Sequence, residues 1–479
     1  MSSQGEHFEL SRRAFMQASA LTAGGVALTT AAAEKPVQGD TMARNKSAVV
    51  LAGFVYPPTS QLDAAGYYSW PGSGFNAEGQ QQDYTAKFQQ LAADLNMTVD
   101  VRPGHIDTEA DAAQFVEQAA AAKPDGILLV LFKKGHWNRV QQIFDAAPCP
   151  VVVFAPLGVL LVDHIREVQD RPGVYLINSG DFGAVERALV MVRTTAWMRQ
   201  SRIINIDGDA EKQTFVPKIG TEILNVPHQR FYDVYANTEV TEPVRKLAKA
   251  YRNGAKDIVE PNEEDIVDAA RAYHALHQLV IDEKADALMM NCLPGLQMPH
   301  KHVPPCMGFM TLRDMGIPAG CQSDLNPTLT LLLVQYLYNR PGFQQNASMD
   351  TANNLYFGAH CTSPSCMNGP GTKAEPYILR SHAEAGWGCV PRVLFPTDQE
   401  VTLAQYFSGD APEMIVYTGT IVDCPEIPPT GGCRTNLRMT INEVDDVRNV
   451  LGMHQIIFYG NHGKDLRTYC QLNSIELRV

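Results

Sequence analysis

Between residues 48 and 156 the sequence alternates short runs of apolar, largely β-branched residues with longer amphipathic or alanine-rich segments. The apolar runs predict strands, and the segments between them predict helices. The predicted strands are 48–54, 97–101, 126–132 and 150–154, and the predicted helices are 78–96, 108–122 and one from about Trp137. Continuous apolar strands that alternate with helices are typical of a parallel sheet covered on both faces. This pattern restricts residues 45–172 to a doubly wound α/β domain.

A second α/β domain is predicted for residues 173–345. Its strands are expected at 174–177, 202–206, 230–234 and 287–290, and Asn262 is expected to cap a long helix over 263–283. Residues 346–479 have a different pattern, with short strand-like segments separated by Pro and Gly at 390–395, 401–406, 414–420 and 455–459. They predict a mostly β, barrel-like C-terminal domain. The predicted fold class is therefore α/β, with two doubly wound parallel-sheet domains followed by this β-rich one.

Composition excludes several functional classes. The chain has 479 residues, 45% hydrophobic and 19% charged, which is enough to bury a large core in two or three domains. Its formal net charge of −13 argues against a nucleic-acid partner, because phosphates require clustered Lys and Arg. No Gly-x-Gly-x-x-Gly follows the first predicted strand, so a dinucleotide cofactor has no support.

Residues 1–33 are interpreted as a targeting segment. Arg12 and Arg13 form a twin-arginine pattern, and an Ala- and Thr-rich stretch follows with a plausible cleavage site after Ala33. The stretch is too short and too lightly apolar to span a membrane, so we expect no membrane anchor. Export of a folded protein to the periplasm is the prediction, and a chance arginine pair in an ordinary N-terminus is the alternative.

The ten cysteines show no Cys-x-x-Cys spacing, which is the usual sequence signal of a zinc site. A chain of this length does not need a disulfide framework. We therefore expect buried free thiols for most of them. If bridges form, Cys361 with Cys366 and Cys424 with Cys433 are the closest pairs in sequence.

Four residues in the second half of the chain carry side chains suited to a hard divalent ion: Asp324, Asp350, His360 and His454. Carboxylate oxygens and neutral imidazoles suit Mn²⁺, Fe²⁺ or Mg²⁺ better than a thiolate site does, because the hardness of the ligand has to match the ion. The residue types alone leave open that these are surface groups or satisfied core groups. For Asp350 the alternative is a turn or a helix cap.

The segments that contain three of these residues resemble a known family. Residues 320–332 read GCQSDLNPTLTLL, residues 357–360 read FGAH, and residues 452–454 read GMH, followed by FYG at 458–460. In order and spacing they resemble the C-terminal half of the L-fucose isomerase and L-arabinose isomerase superfamily. The resemblance implies a metal-dependent enzyme, with Mn²⁺ or another divalent ion, that interconverts aldoses and ketoses. It also implies a homo-oligomer, because that family builds its sites between subunits.

The resemblance also implies roles for individual residues. Asp324 and His454 would bind the metal, Asp350 would be a ligand or move a proton, and His360 would be a ligand or would hold one in place. The catalytic candidates are thus Asp324 and Asp350. Sugar contacts are expected from residues at predicted strand ends and nearby loops: Gln322, Asn291, Arg434, His136 and Trp137. For the loop with His136 and Trp137, the alternative is a solvated loop with the indole packed on the sheet.

Two positions depart from the family pattern. Gln322 stands where the family commonly has a glutamate and cannot act as a base, and Gln455 stands where arabinose isomerases have a second histidine. An isomerase that works through an enediolate is the first prediction. A metal-dependent epimerase or lyase on a modified sugar, or a non-catalytic exported sugar-binding protein, remains as an alternative.

Overall fold

The computed structural model describes residues 46–65, 74–426 and 432–478, and the side chains of residues 63 and 65 are not described. The predicted targeting segment, residues 1–33, lies outside this part. The described residues all belong to one compact unit. The three-domain boundaries stay a prediction.

The first sheet contains five parallel strands in the order β2-β1-β3-β4-β5. The strands are β1 (Val49–Val55), β2 (Thr98–Val101), β3 (Gly126–Leu131), β4 (Val151–Pro156) and β5 (Val174–Ser179). The helices are α1 (Thr59–Ala65), α2 (Ala77–Asp94), α3 (Glu109–Ala122), α4 (Trp137–Ala146), α5 (Val162–Val168) and α6 (Gly183–Arg199). Strand β5 was predicted as the first strand of the second unit, and this assignment is wrong because β5 pairs with β4 along its whole length.

Helices cover both faces of this sheet, as the alternation predicts. Alternate residues of β1, such as Val50 and Phe54, pack in one core with residues of α2 and α6. The intervening Leu51 and Val55 pack in a second core with residues of α3 and α4. Because both faces are buried, the strands need no polar residue in alternate positions.

The second sheet has the order β11-β10-β6-β8-β7 and is parallel except for the edge strand β7. Its strands are β6 (Arg202–Ile206), β7 (Lys212–Phe215), β8 (Glu222–Val226), β10 (Ala287–Met290) and β11 (Ala319–Cys321); β9 (Ala255–Ile258) belongs to another sheet. The helices are α7 (His228–Asn237), α8 (Glu242–Gly254), α9 (Glu263–Asp282), α10 (Leu293–Leu296), α11 (Cys306–Asp314) and α12 (Leu325–Tyr338).

One prediction for this region is confirmed and one is wrong. The Asn262 side chain accepts hydrogen bonds from the backbone N–H groups of Glu264 and Asp265, so it caps α9. The strand predicted at 230–234 is part of α7 instead. Its aromatic and β-branched residues favour a strand by composition, but only Phe231 is buried in that helix. The strand is β8, immediately before Pro227.

The C-terminal region is antiparallel for the most part, and the mixed α/β class is confirmed. Eight strands form the sheet β12-β20-β17-β18-β19-β14-β13, with β21 added beside β18. They are β12 (Phe343–Gln344), β13 (Asn346–Asp350), β14 (Leu355–His360), β17 (Glu400–Phe407), β18 (Glu413–Asp423), β19 (Thr435–Met439), β20 (Ile456–Tyr459) and β21 (Glu476–Arg478). Strands β15 (Tyr377–Arg380) and β16 (Val390–Val393) join β9 in a three-stranded sheet, and α13 (Gly463–Leu472) precedes β21.

The barrel-like closure predicted for this region is not found in the described residues. The sheet is open, and its two ends are β12 and β13, which follow one another along the chain. None of the described helices is long and apolar enough to cross a membrane.

Candidate functional site

The turn between β11 and α12 aims Asp324 away from the sheet. Gln322 and Ser323 have φ values of 60° and 50°, and the Asp324 N–H donates to the Cys321 carbonyl at 3.3 Å. Left-handed backbone at two successive non-glycine residues is costly and tends to persist where a site requires it. Asp324 precedes α12, yet its carboxylate makes no capping hydrogen bond, so it is available for another partner.

That partner is His454, 130 residues further along the chain. His454 Nδ1 lies 2.8 Å from Asp324 Oδ2, and His454 Nε2 lies 2.7 Å from Asn346 Oδ1. His454 also has left-handed backbone, with φ 61°, and lies just before β20. The side chain of His454 is 10% exposed and that of Asp324 is 34% exposed. The pair is therefore fixed on the histidine side and open to solvent on the carboxylate side.

His360 lies beside this pair at the end of β14. Its ring centre is 5.8 Å from that of His454, and the side chain is fully buried. His360 Nδ1 accepts the Cys361 N–H at 3.0 Å, whereas Nε2 is buried without a hydrogen-bond partner in the described structure. Burial lowers the pKa of His360 to about 4. The ring is therefore neutral at pH 7, the form that can bind a metal.

The spacing of the donor atoms fits one divalent ion. Two ligands bound at about 2.1 Å and at right angles lie about 3.0 Å apart. The observed 2.8 Å between Asp324 Oδ2 and His454 Nδ1 differs little from that value. A cation there would take the place of the hydrogen-bonding proton. A small number of protein ligands is usual for Mg²⁺-like ions, which complete their coordination with water and substrate.

The structure does not bring Asp350 to this pair. Asp350 lies four residues beyond Asn346 on β13, about 13 Å along the strand. Its carboxylate accepts a hydrogen bond from Arg438 at 2.7 Å, and Arg438 also pairs with Asp423. Hydrogen bonds from Asn353 and Arg438 hold the pKa of the partly exposed Asp350 carboxyl below its usual value. Asp350 therefore belongs to a surface ion-pair network.

Two of the predicted sugar contacts lie at the carboxyl edge of the second sheet with Asp324. Met290 and Cys321 are register partners, so the residues that follow them, Asn291 and Gln322, leave the sheet side by side. The side-chain amide of Asn291 donates to Asp207 at 3.3 Å, and the backbone carbonyl oxygen of Asn291 lies 2.8 Å from His228 Nε2. The Gln322 side chain has no hydrogen-bond partner in the described part of the chain.

The other three predicted contacts have partners of their own. Arg434 donates to the backbone oxygen and the hydroxyl of Ser381. His136 lies 2.7 Å from Asp107 at the edge of the first sheet. Trp137 is 6% exposed and its indole N–H donates to Glu167. The indole is thus packed in the structure and is not an open platform for a sugar ring.

Sequence reasoning missed Asn346 as a partner of His454. Asn346 is the register partner of Ala359 across β13 and β14, so it lies beside the FGAH segment. Nothing in its local sequence distinguishes it, because the contact depends on strand pairing.

The comparisons with known proteins give no family. No protein-family model matches the chain, and no curated protein matches it. Among solved structures, an ABC-transporter solute-binding protein from Burkholderia multivorans, with an unknown ligand assigned as alpha-D-erythrofuranose, is similar at 14% identity. The match covers 52% of this chain and 83% of that one, with a TM-score of 0.15. A TM-score this low carries no argument about fold or ligand.

Proposed function

We propose that this protein is a metal-dependent aldose–ketose isomerase in which Asp324 and His454 hold a divalent ion, with Mn²⁺ as the first choice and Fe²⁺ or Mg²⁺ as alternatives. The observation that carries the proposal is the 2.8 Å contact between an aspartate at a sheet edge and a histidine 130 residues away. The substrate would be a small neutral sugar. Export through the twin-arginine pathway and homo-oligomeric assembly are part of the same proposal.

Aldose–ketose isomerisation removes a proton beside a carbonyl and returns it to the neighbouring carbon. A bound divalent ion supplies charge neutralisation for the oxygens of the sugar. Asp324 Oδ1 has no hydrogen-bond partner among the described residues, and the side chain is partly exposed, so this oxygen is our candidate for moving the proton. A positioned acid–base group typically contributes about 10²- to 10⁴-fold in rate.

The neighbouring side chains would position the sugar. Asn346 fixes the ring of His454, which sets the direction of Nδ1 towards Asp324. Gln322 and Asn291 leave adjacent strands at the same edge and offer amide groups to hydroxyls. His360 is fully buried with its ring centre 5.8 Å from that of His454, so it would support the pair from behind and would not contact the sugar.

A non-catalytic sugar-binding protein is the second candidate. The observation that favours it is the loss of two chemical groups: Gln322 cannot ionise, and the Gln455 side chain is used in the core, where it accepts a hydrogen bond from Tyr356 at 2.7 Å. An epimerase or lyase on a modified sugar shares the metal site and differs in its product.

The test is to load purified wild type with Mn²⁺, remove weakly bound ion, and measure bound metal alongside Asp324→Asn and Asp350→Asn. Asp350→Asn is the matched control because it also removes one carboxylate charge but leaves Asp324 and His454 unchanged. We expect wild type and Asp350→Asn to retain about one Mn²⁺ per chain and Asp324→Asn to lose it. Equal retention by Asp324→Asn would contradict the site.

Incubating the loaded protein with a panel of aldoses in D₂O then separates the reactions. Ketose formation, with or without carbon-bound deuterium, supports the isomerase. A product with an inverted centre or a lost water identifies the epimerase or lyase. Sugar binding by wild type without any turnover identifies the binding protein. If Asp324 moves the proton, Asp324→Asn should lower the turnover rate by about 10²-fold or more.

A further inference from the structure

A second group of metal-binding side chains lies buried next to the turn that carries Asp324. Cys306, Cys361 and His382 each offer a donor atom, and the three atoms lie within 4.8 Å of one another. Cys321, His360 and Cys361 form a second such set, so Cys361 is common to both. We call these five residues the thiol–imidazole cluster. All five are at least 94% buried.

The chain assembles this cluster from separate elements. Cys306 begins α11, Cys321 ends β11, Cys361 follows β14, and His382 follows β15. Cys361 belongs to both sets of donor atoms, one with Cys306 and one with Cys321, which places its thiol at the centre of the cluster. All ten cysteines of the chain lie in the described part and none is in a disulfide.

Two observations indicate that the thiol–imidazole cluster lacks a partner that an ordinary packed core would not need. The Nε2 atom of His382 is buried and has no hydrogen-bond partner within the described residues. Burying a polar atom without a partner is costly, and native structures rarely leave one unexplained. Its Nδ1 accepts the Ala385 N–H at 3.3 Å, so the ring is already oriented.

The second observation is a buried cation beside the thiols. Arg313 is 1% exposed and makes no ion pair with a described carboxylate; it donates to the Ala319 carbonyl and, at 3.4 Å, to Gln344 Oε1, while Nη1 has no partner. The neighbouring Asp314 accepts hydrogen bonds from Ser365 and Cys366 instead. A buried charge requires compensation nearby. The Asp314 carboxylate, which is hydrogen-bonded to Ser365 and Cys366, provides part of this compensation, and neutral thiols add none.

We propose that Cys306, Cys361 and His382, with Cys321 as the fourth ligand, bind a Zn²⁺ ion in a buried structural site. Mixed thiolate and imidazole ligands in a closed, four-coordinate arrangement are typical of zinc. Three thiolates and a neutral imidazole around Zn²⁺ leave one net negative charge, which balances Arg313. His360 is assigned elsewhere because its ring lies beside His454.

Three of the four proposed ligands require little movement. Zinc–sulfur bonds of about 2.3 Å in a tetrahedron place the donor atoms about 3.8 Å apart. The donor atoms of Cys306, Cys361 and His382 lie within 4.8 Å of one another, so these three would move inward by about 1 Å at most. Cys321 is grouped with Cys361 and His360 instead, so its thiol has to approach Cys306 and His382 when the ion binds. This site shares no ligand with the proposed site at Asp324 and His454. The zinc proposal can therefore be tested separately from the isomerase proposal.

The test uses full-length protein produced with added zinc and purified anaerobically, with bound zinc measured by elemental analysis. Wild type and Asp324→Asn should each hold about one Zn²⁺ per chain, whereas Cys361→Ala should hold at least tenfold less. The matched control is Cys470→Ala, which removes another fully buried thiol that contacts Met414 Sδ at 3.5 Å and should retain zinc. Replacement by Co²⁺ should give the sulfur-to-cobalt charge-transfer absorption in wild type and not in Cys361→Ala.

A second measurement on wild type covers the case in which Cys361→Ala does not fold. Stepwise modification of the thiols with a mercurial reagent should release zinc to a coloured chelator in proportion to the thiols modified. Zinc-free wild type, zinc retained in folded Cys361→Ala, zinc lost from Asp324→Asn, or a disulfide among these cysteines would each overturn the proposal.

Discussion

The resemblance would place Gln455 where arabinose isomerases have a second histidine, whereas its contacts in the structure predict a role in the core. Its side chain is fully buried. Its Oε1 accepts hydrogen bonds from Tyr356 at 2.7 Å and from Gln345 at 3.2 Å, and its Nε2 donates to the Leu451 carbonyl at 2.6 Å. Replacing Gln455 with Met preserves the length of the side chain and removes all three hydrogen bonds.

The expected loss of stability in Gln455→Met depends on which of the three former hydrogen-bond partners can be solvated by water. Leu451 is exposed, so its carbonyl can be solvated in the variant. Tyr356 is fully buried and its hydroxyl loses its acceptor, while Gln345 Nε2 keeps the Tyr356 oxygen at 2.6 Å. One buried donor without a partner costs about 1–3 kcal/mol, and we expect Gln455→Met to lower the free energy of unfolding by that amount.

Urea unfolding of wild type, Gln455→Met and Gln345→Met measures this cost. Gln345→Met should cost less, because the Oε1 atom of Gln345 is already buried without a partner and the change removes that atom. The double variant should cost less than the sum of the two single variants, since the residues contact each other. Unchanged stability in Gln455→Met together with lost metal or turnover would refute the core role and return Gln455 to the site.

Two further changes test the packing behind the turn and the electrostatics of the core. Gly320→Ala would place a Cβ atom 1.9 Å from Thr328 Oγ1, so α12 must shift; we expect a loss of about 1–3 kcal/mol in urea unfolding and weaker Mn²⁺ binding at Asp324. Burial raises the pKa of Asp314 from 3.8 to about 6, so the folded chain holds a proton that the unfolded chain has released between these values. Stability should therefore decrease as pH rises from about 4 to 6, by about 3 kcal/mol relative to Asp314→Asn measured at the same pH, and a difference with the opposite slope would contradict this assignment.

The strands of the first sheet could be predicted because their sequence and their environment agree. The runs of β1, β3 and β4 are buried almost throughout, whereas the edge strand β2 exposes Thr98 and Asp100. Short apolar runs bounded by turn residues favour strands. The failures occurred where tertiary context decides. Residues 230–234 have the composition of a strand, but they follow Pro227 and form part of a helix that buries Phe231 and packs Tyr232 and Val234 more loosely against the same core. Whether β5 belongs to the first or the second sheet depends on pairing with β4, which has no local signal.

For the candidate site, the order of the motifs along the chain predicted Asp324 and His454 but not the residues that contact them, such as Asn346. Asp350 was grouped with them because it lies between the motifs in sequence, yet a five-residue strand carries it away from Asn346. The cysteines were judged by spacing along the chain, and spacing is informative only when ligands come from one loop or hairpin. Cys306, Cys361 and His382 come from three elements, so only the fold brings them together.

If both proposed ions bind, the turn at 321–324 keeps the hard ligand Asp324 apart from the soft ligand Cys321. Cys321 ends a buried strand and faces the thiols, whereas Asp324, three residues later, is partly exposed and faces His454. An extended segment would direct residues 321 and 323 to one side and residues 322 and 324 to the other without reversing the chain. The two left-handed residues, Gln322 and Ser323, reverse it instead, so Cys321 stays buried while Asp324 is partly exposed beside His454. Because thiolates prefer zinc and carboxylates prefer manganese or magnesium, this separation by one turn would direct each ion to its own site.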